Sequence, residues 1–273
     1  MKENSSKFYI YIILIFFGVL MFFPFVWMFI SSFKGISDIY TYPPRIFPKK
    51  WIFTNYKEIL NMIPFLRYYI NSIFVATSST FLQVLVSVLA AFAFSRLQFP
   101  GKNILFMMYL GTLIMPLQVT LIPKFLIVAN LKWLDSYQGL IVPVLFNTFS
   151  IFFLRQFFST IPKELEDAAK IDGCGHFTFL FKIVIPLSKP AIGTIALFSF
   201  LMEWRSYIWP LIIINKDEMR TLPIGLKYLI SEGGGEYHLL MAAAVMTIAP
   251  VLIIFFLSEK QFIKGITLTG LKG

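Results

Sequence analysis

Long runs of apolar residues recur six times along this chain, and each is about long enough to cross the ~30 Å hydrocarbon core of a bilayer as a helix. They fall at Phe8 to Phe33, Tyr69 to Phe94, Ile104 to Val128, Gln138 to Phe158, Leu187 to Ile214 and Leu239 to Leu257. Backbone N–H and C=O groups have no water partner in lipid, so such runs must close their own hydrogen bonds as helices. The expected class is therefore all-α integral membrane. Mean hydropathy of +0.76 and 58% hydrophobic residues agree, being well above a soluble domain. The first run, MKENSSKFYIYIILIFFGVLMFFPFVWMFI, starts basic as a signal peptide does. It is too long for a signal core and lacks a small-residue cleavage site, so it should remain as a span.

Charge and cysteine content exclude several functions. The net charge of +10 comes from lysines and arginines at the edges of the apolar runs, without a long basic block, which suits membrane flanks and not nucleic acid. The Lys and Arg counts on the two sides nearly cancel and only lean towards cytoplasmic termini. One cysteine, Cys174, leaves no intramolecular disulfide or Cys-based metal cluster. Pro100-Gly101-Lys102-Asn103 lacks the first glycine and the Ser or Thr of a phosphate loop, so the chain should not hydrolyse ATP itself. His176 and His238 both fall in loops and read as solvated or capping residues. Pro24, Pro116, Pro123, Pro143, Pro210 and Pro250 lie inside the runs, where each removes a backbone donor and implies either a kink with neighbours satisfying the freed carbonyl or the ordinary tolerance of membrane helices. The loop after the first run, with Pro43, Pro44 and Pro48, should be mainly extended before the amphipathic WIFTNYKEIL.

ELEDAAKIDGCGHF, Glu164 to Phe177, stands apart from the rest. Pro162 suits the first turn of a helix, Ser159 and Thr160 offer capping oxygens, and Glu164, Glu166 and Asp167 put negative charge at the positive end of the dipole. Ala168 and Ala169 allow close approach of a partner, Ile171 is an apolar anchor, and Gly173 and Gly175 can end the helix with positive φ. A second amphipathic piece, FTFLFKIVI, runs to Pro186. Physical reasoning leaves two readings open here, a capped connector or a docking element. A third polar cluster lies in SFLMEWRSYIWPL, where Glu203 and Arg205 would each cost about 2.5–3.5 kcal/mol facing lipid. They are expected to face a pathway, with Trp204 beside them, or else a partner subunit's helices.

Asp167-Ala168-Ala169, Gly173, then Ile183 and Ile185-Pro186 resemble the EAA loop of ABC importer permeases, with Asp167 and Ile185 in place of the usual Glu and Leu. Asn71-Ser72, Gln118 to Pro123, Phe153 to Phe158, Trp209 to Ile212, Arg220 to Leu226 and the ending Gly270 to Gly273 are similar to the MalG-like permeases of carbohydrate importers. That resemblance covers nearly the whole chain. It implies a six-helix type I importer domain with a MetI-like core, divided into 1–66 (first span and extracytoplasmic loop), 67–258 (core, with the coupling loop at 159–186) and 259–273 (cytoplasmic tail). Glu164, Asp167, Ala168, Ala169, Asp172 and Gly173, with Lys272 and Gly273 of the tail, would meet an ATPase dimer that holds ATP and Mg; the chain itself would carry no cofactor or metal. Gln118, Asn147, Glu203, Trp204 and Arg205 would line the substrate pathway, although related permeases usually have Asn at position 205. The partners implied are a second, MalF-like permease, an extracytoplasmic sugar-binding protein and membrane lipid, with no nucleic acid. The setting implied is the cytoplasmic membrane with both termini inside. The cargo would be a carbohydrate, an oligosaccharide first; another solute such as glycerol phosphate, or a secondary transporter using Glu203, are the alternatives.

Overall fold

The structure is a computed structural model. It describes residues 2–232 and 236–270, with side chains at 7, 9–229 and 236–257. Among the described residues the chain is helical, without strands. In order the helices are α1 (Lys2–Ser31), α2 (Ile36–Ile39), α3 (Thr54–Met62), α4 (Phe65–Arg96), α5 (Lys102–Gly111), α6 (Leu117–Asn130), α7 (Tyr137–Ile141), α8 (Thr148–Ser159), α9 (Lys163–Ile171), α10 (His176–Phe179), α11 (Ile185–Leu187), α12 (Lys189–Trp204), α13 (Ile208–Ile213), α14 (Leu222–Glu232) and α15 (Tyr237–Gly270). Three helices are long and apolar enough to span alone: Tyr9–Ser31, Phe65–Arg96 and Tyr237–Leu257. The other three expected spans are bent pairs, and counting each pair as one gives six.

Proline and the loss of its donor explain where the bends fall. Pro116 caps α6 in extended conformation, and the chain turns by 106° between Lys102–Ile114 and Leu117–Asn130. Pro143 sits in the short helical turn before Asn147, where the bend is 44°. Gln83 of α4 donates to the Val144 carbonyl at 2.8 Å, so a neighbouring helix satisfies an acceptor at the break. Ahead of Pro186 the ladder widens into a π turn, with Ile185 N–H reaching Leu180 O, and an 80° bend follows before α12. The fifth run is therefore not one helix over Leu187 to Ile214: α12 stops at Trp204, and α13 begins at Ile208.

Two compact units make up the chain, one formed by the residues up to Arg67 with Ile224–Pro250, the other by Tyr68–Pro223 with the chain from Val251. In the first, the loop after α1 is folded and not extended. Phe33 is ringed by Trp51, Phe53 and Tyr56 at 5.1 to 5.5 Å, and the Asn55 amide donates to the carbonyls of Ser32 and Lys34. Lys34, 1% exposed, donates to Arg45 O at 2.7 Å and lies 4.1 Å from the Trp27 ring centre. Burial pushes its amine below the ordinary lysine value, with Asp38 opposing that shift. Prolines alone suggested extended chain; the aromatic and amide side chains supply the contacts that fold it.

In the second unit α4 is the spine. One core packs Val88, Ala91 and Phe92 of α4 against Leu154 and Phe158 of α8, Ala169 of α9 and Ile195 of α12. Another packs Val75 against Val128, Leu140, Trp209 and Ile213. Ser72, Ser79, Gln83 and Ser87 repeat at helical spacing along α4 and are buried, as expected where small polar residues let helices in lipid approach closely.

Candidate functional site

The polar segment folds into a corner. α9 starts at Lys163 with Pro162 as its N-cap at φ −54°, one position before the expected first turn. Ser159 and Thr160 do not cap it: their hydroxyls donate back to Arg155 O and Phe157 O of α8. Glu164 and Glu166 supply the acidic first turn. At the far end Gly173 has φ +75°, Gly173 N–H reaches Lys170 O and Cys174 N–H reaches Ala169 O at 2.8 Å. These two bonds make a Schellman stop. Cys174 then packs on the core that buries Ala169, the apolar contact such a stop normally carries, and this accounts for a residue in that position.

Helical periodicity divides the acids and alanines between two faces. Ala169 is buried and Glu166 points inward, while Glu164, Asp167, Ala168, Asp172 and Gly173 are exposed. Ile171 is 87% exposed, and Phe177 and Leu165 are also open. Sequence reasoning missed the group that fixes this corner. Arg96, the last residue of α4, donates to the Phe158 and Ile161 carbonyls and lies 3.5 Å from the Glu166 carboxylate, which also pairs with Lys170 at 2.9 Å. An arginine closing a span reads as an ordinary membrane flank, so only the fold distinguishes it. Lys272 and Gly273 lie outside the described residues.

The expected pathway residues are dispersed. Gln118 is exposed on the first turn of α6. Asn147 caps α8, its Oδ1 accepting from Ser150 N at 2.9 Å and Ser150 Oγ at 3.1 Å. Trp204 is 5% exposed, with Tyr69 T-shaped to it at 5.7 Å and Phe200 stacked on it at 5.8 Å, so little of its ring is open. Arg205 is exposed at the C-cap of α12, where its backbone N–H reaches Leu201 O. Glu203 is half-buried on the last turn, within Coulombic reach of Lys124. Lys124 follows Pro123 in α6 and its Nζ lies 4.3 Å from the Trp209 ring centre. Among the described residues no ion pair within 4 Å joins Lys124 to Glu203, so two charged ends sit near one another without closing. A lysine beside a proline near a span edge gave no sign of this in the sequence.

Motifs far apart in sequence meet at the opposite end of α4. Asn71 donates to Glu218 O and Arg220 O at 2.9 Å and accepts from Tyr137 OH, while Ser72 Oγ accepts from Leu222 N at 2.7 Å. Trp209 Nε1 donates to Gly139 O at 3.1 Å. The Asp135 carboxylate accepts the N–H groups of Asn215 and Lys216.

A family model described as the binding-protein-dependent transport system inner membrane component matches residues 2–267. The chain belongs to that family. Among its relatives, the arabinooligosaccharides transport system permease protein AraQ of Bacillus subtilis is 34% identical over the full length of both chains. The sn-glycerol-3-phosphate transport system permease protein UgpE of Escherichia coli is 35% identical, over 89% of this chain and 90% of that one. A chain in the crystal structure of a bacterial ABC transporter involved in the import of the acidic polysaccharide alginate superimposes with a TM-score of 0.85 at 24% identity, covering 96% of this chain and 98% of its own. That likeness establishes the fold. The chain is thus a permease component of a binding-protein-dependent transport system, with the fold of an ABC transporter permease.

Proposed function

We propose that this subunit carries an oligosaccharide through the cytoplasmic membrane as one of two permeases, moved by ATP hydrolysis on a separate ATPase dimer. The open face of α9 carries the reading. A polar helix between spans that leaves Ile171 87% exposed beside Asp167 and Ala168, and stops at Gly173 in a fixed Schellman turn, has the chemistry of a docking knob. In this reading α9 and both termini are cytoplasmic, Glu164 and Asp172 flank the ATPase contact, and Lys272 and Gly273 reach the same dimer, which holds ATP and Mg. The loop after α1 faces an extracytoplasmic binding protein. Alternating access follows: ATP closes the dimer, α9 moves, and Arg96 passes the displacement to the end of α4.

Gln118, Asn147, Glu203, Trp204 and Arg205 are proposed for the pathway, with Lys124 added. Lys124 and Glu203 are near enough to interact without an ion pair, which suits bridging by the hydroxyls of a sugar. Cargo class follows from the relative named for arabinooligosaccharides. The cations Lys124 and Arg205 favour one second reading, an anionic solute, in line with the relative named for glycerol 3-phosphate. Affinity purification should bring down an ATPase and a second permease, and reconstituted uptake should prefer an oligosaccharide over glycerol 3-phosphate. Solo transport activity would overturn the importer reading, and preference for the phosphate would overturn the cargo.

A further inference from the structure

An open cavity of about 580 Å³ lies beside the corner, between the end of α4, the start of α5 and α8. Phe94, Gln98, Lys102, Asn103, Ile104 and Arg155 are among its lining residues, and no acid lines it. Both cations are held in place by groups that carry no negative charge. Lys102 Nζ donates to Leu97 O at 2.7 Å; Arg155 Nε donates to Phe94 O at 3.2 Å, and its guanidinium lies 4.0 Å from the Phe106 ring centre. The nearby Glu166 is committed to Arg96 and Lys170. Packing therefore keeps two like charges at one cavity, an arrangement that an anion would relieve. α5 begins at the same place without a side-chain cap, which adds the positive end of a ten-residue helix. From the cavity an apolar stripe, Ile104, Met107 and Met108, runs along the exposed face of α5 at helical spacing.

We infer that this cavity binds the phosphate of an anionic phospholipid, whose acyl chains lie along Ile104, Met107 and Met108. The stripe favours a lipid over free phosphate, because soluble phosphate has no use for it. Arg155 sits one turn before Phe158, whose carbonyl Arg96 holds, so an occupied cavity braces the frame from which α9 projects. The inference does not depend on which solute is carried.

The test uses the assembled transporter, wild type against Asn103→Asp and Lys102→Gln. Asn103→Asp puts a carboxylate into the cavity while keeping both cations, and an acid in the first turn favours the helix, so folding is preserved. Native mass spectrometry in detergent with added phosphatidylglycerol should show lipid retention reduced about fivefold in each variant, the change expected for one charge near a membrane surface. In nanodiscs, exchanging phosphatidylglycerol for phosphatidylcholine should slow substrate-stimulated ATP hydrolysis in wild type and leave Asn103→Asp unaffected. Equal retention in all three proteins overturns the proposal. So does displacement of the lipid by millimolar inorganic phosphate, which would mark a free-phosphate site. Protection of Lys102 from an amine reagent by the partner subunits regardless of lipid would mark a partner's carboxylate, and would overturn it too.

Discussion

Gly173 and Gly139 are both glycines for backbone reasons, but the reasons differ and so do the expected consequences. At Gly173, φ is +75° and a Cβ would meet nothing within 4 Å, so only conformational strain opposes a side chain. Gly173→Asn should be tolerated, Gly173→Ala should cost about 1 kcal/mol, and Gly173→Val more, because β-branched residues disfavour that region most. Substrate-stimulated ATP hydrolysis by the assembled transporter should fall in the same order, with membrane insertion unchanged. At Gly139, φ is ordinary and space is the constraint: a Cβ would collide with Trp133 O. Gly139→Ala must push that backbone away and disturb the Trp209 bond to Gly139 O, so thermal unfolding should show a loss of about 2 kcal/mol or more. Gly173 was readable because a helix must end somewhere between Ile171 and the next amphipathic piece. Gly139 was not, since the atom it accommodates belongs to a residue six positions earlier, in a turn that the sequence does not announce.

Among the elements, two joints are each held by one charged side chain. Arg96 ties α4 to the α8–α9 corner through two carbonyls and Glu166. Arg96→Met leaves both carbonyls without their charged donor and Glu166 with Lys170 alone, and should cost about 3 kcal/mol, whereas Arg96→Lys should recover part of that. Hydrogen exchange over residues 158–171 is the readout. The second joint is Asp135, itself at φ 51°, clamping Asn215 and Lys216. Donation from the Lys216 backbone is the largest influence holding its carboxyl below the ordinary aspartate value. A depressed acid stabilises the fold fully above the unfolded-state pKa of about 3.9, and that contribution disappears as pH falls through the lower folded-state value. Exchange at residues 213–217 should therefore rise on acidification below about pH 4, and Asp135→Asn should raise it at neutral pH while flattening the pH response. The broken fifth run belongs to this scale as well. Hydropathy dips at Glu203 to Tyr207, but the pieces on either side are both apolar, and an apolar count does not report that the chain leaves α12 at Trp204.

Across the described residues, exposed apolar side chains fall in two kinds of environment. Large side chains such as Phe16, Met21, Phe22 and Met107 are exposed on the spans, where lipid or a partner helix covers them. Ile171 is equally open but sits in a polar helix, where the proposed ATPase contact would cover it. Ile171→Asp should abolish coupling: the ATPase should detach during purification at moderate salt, while the two permeases stay together. Lys124→Met should change the uptake rate or substrate range of reconstituted transporter, because it removes the cation that lies over Trp209 within Coulombic reach of Glu203; unchanged uptake of every sugar tested would assign Lys124 to packing instead.

What the sequence determined by itself was the part written in local periodicity. Runs of twenty apolar residues dictate helices in lipid, a capped polar segment between two of them dictates a corner outside it, and glycine at 173 dictates where that helix stops. Those inferences need only neighbours within a few turns. The tertiary structure alone decided which polar groups meet: Asn71 with the carbonyls at 218 and 220, Arg96 with Ile161 and Glu166, Lys124 with Trp209. Each of those contacts joins residues more than sixty positions apart, and in lipid a polar side chain is stable wherever any partner can be reached. Hydropathy therefore fixes that such partners must exist, and only the packing of the helices fixes which ones they are.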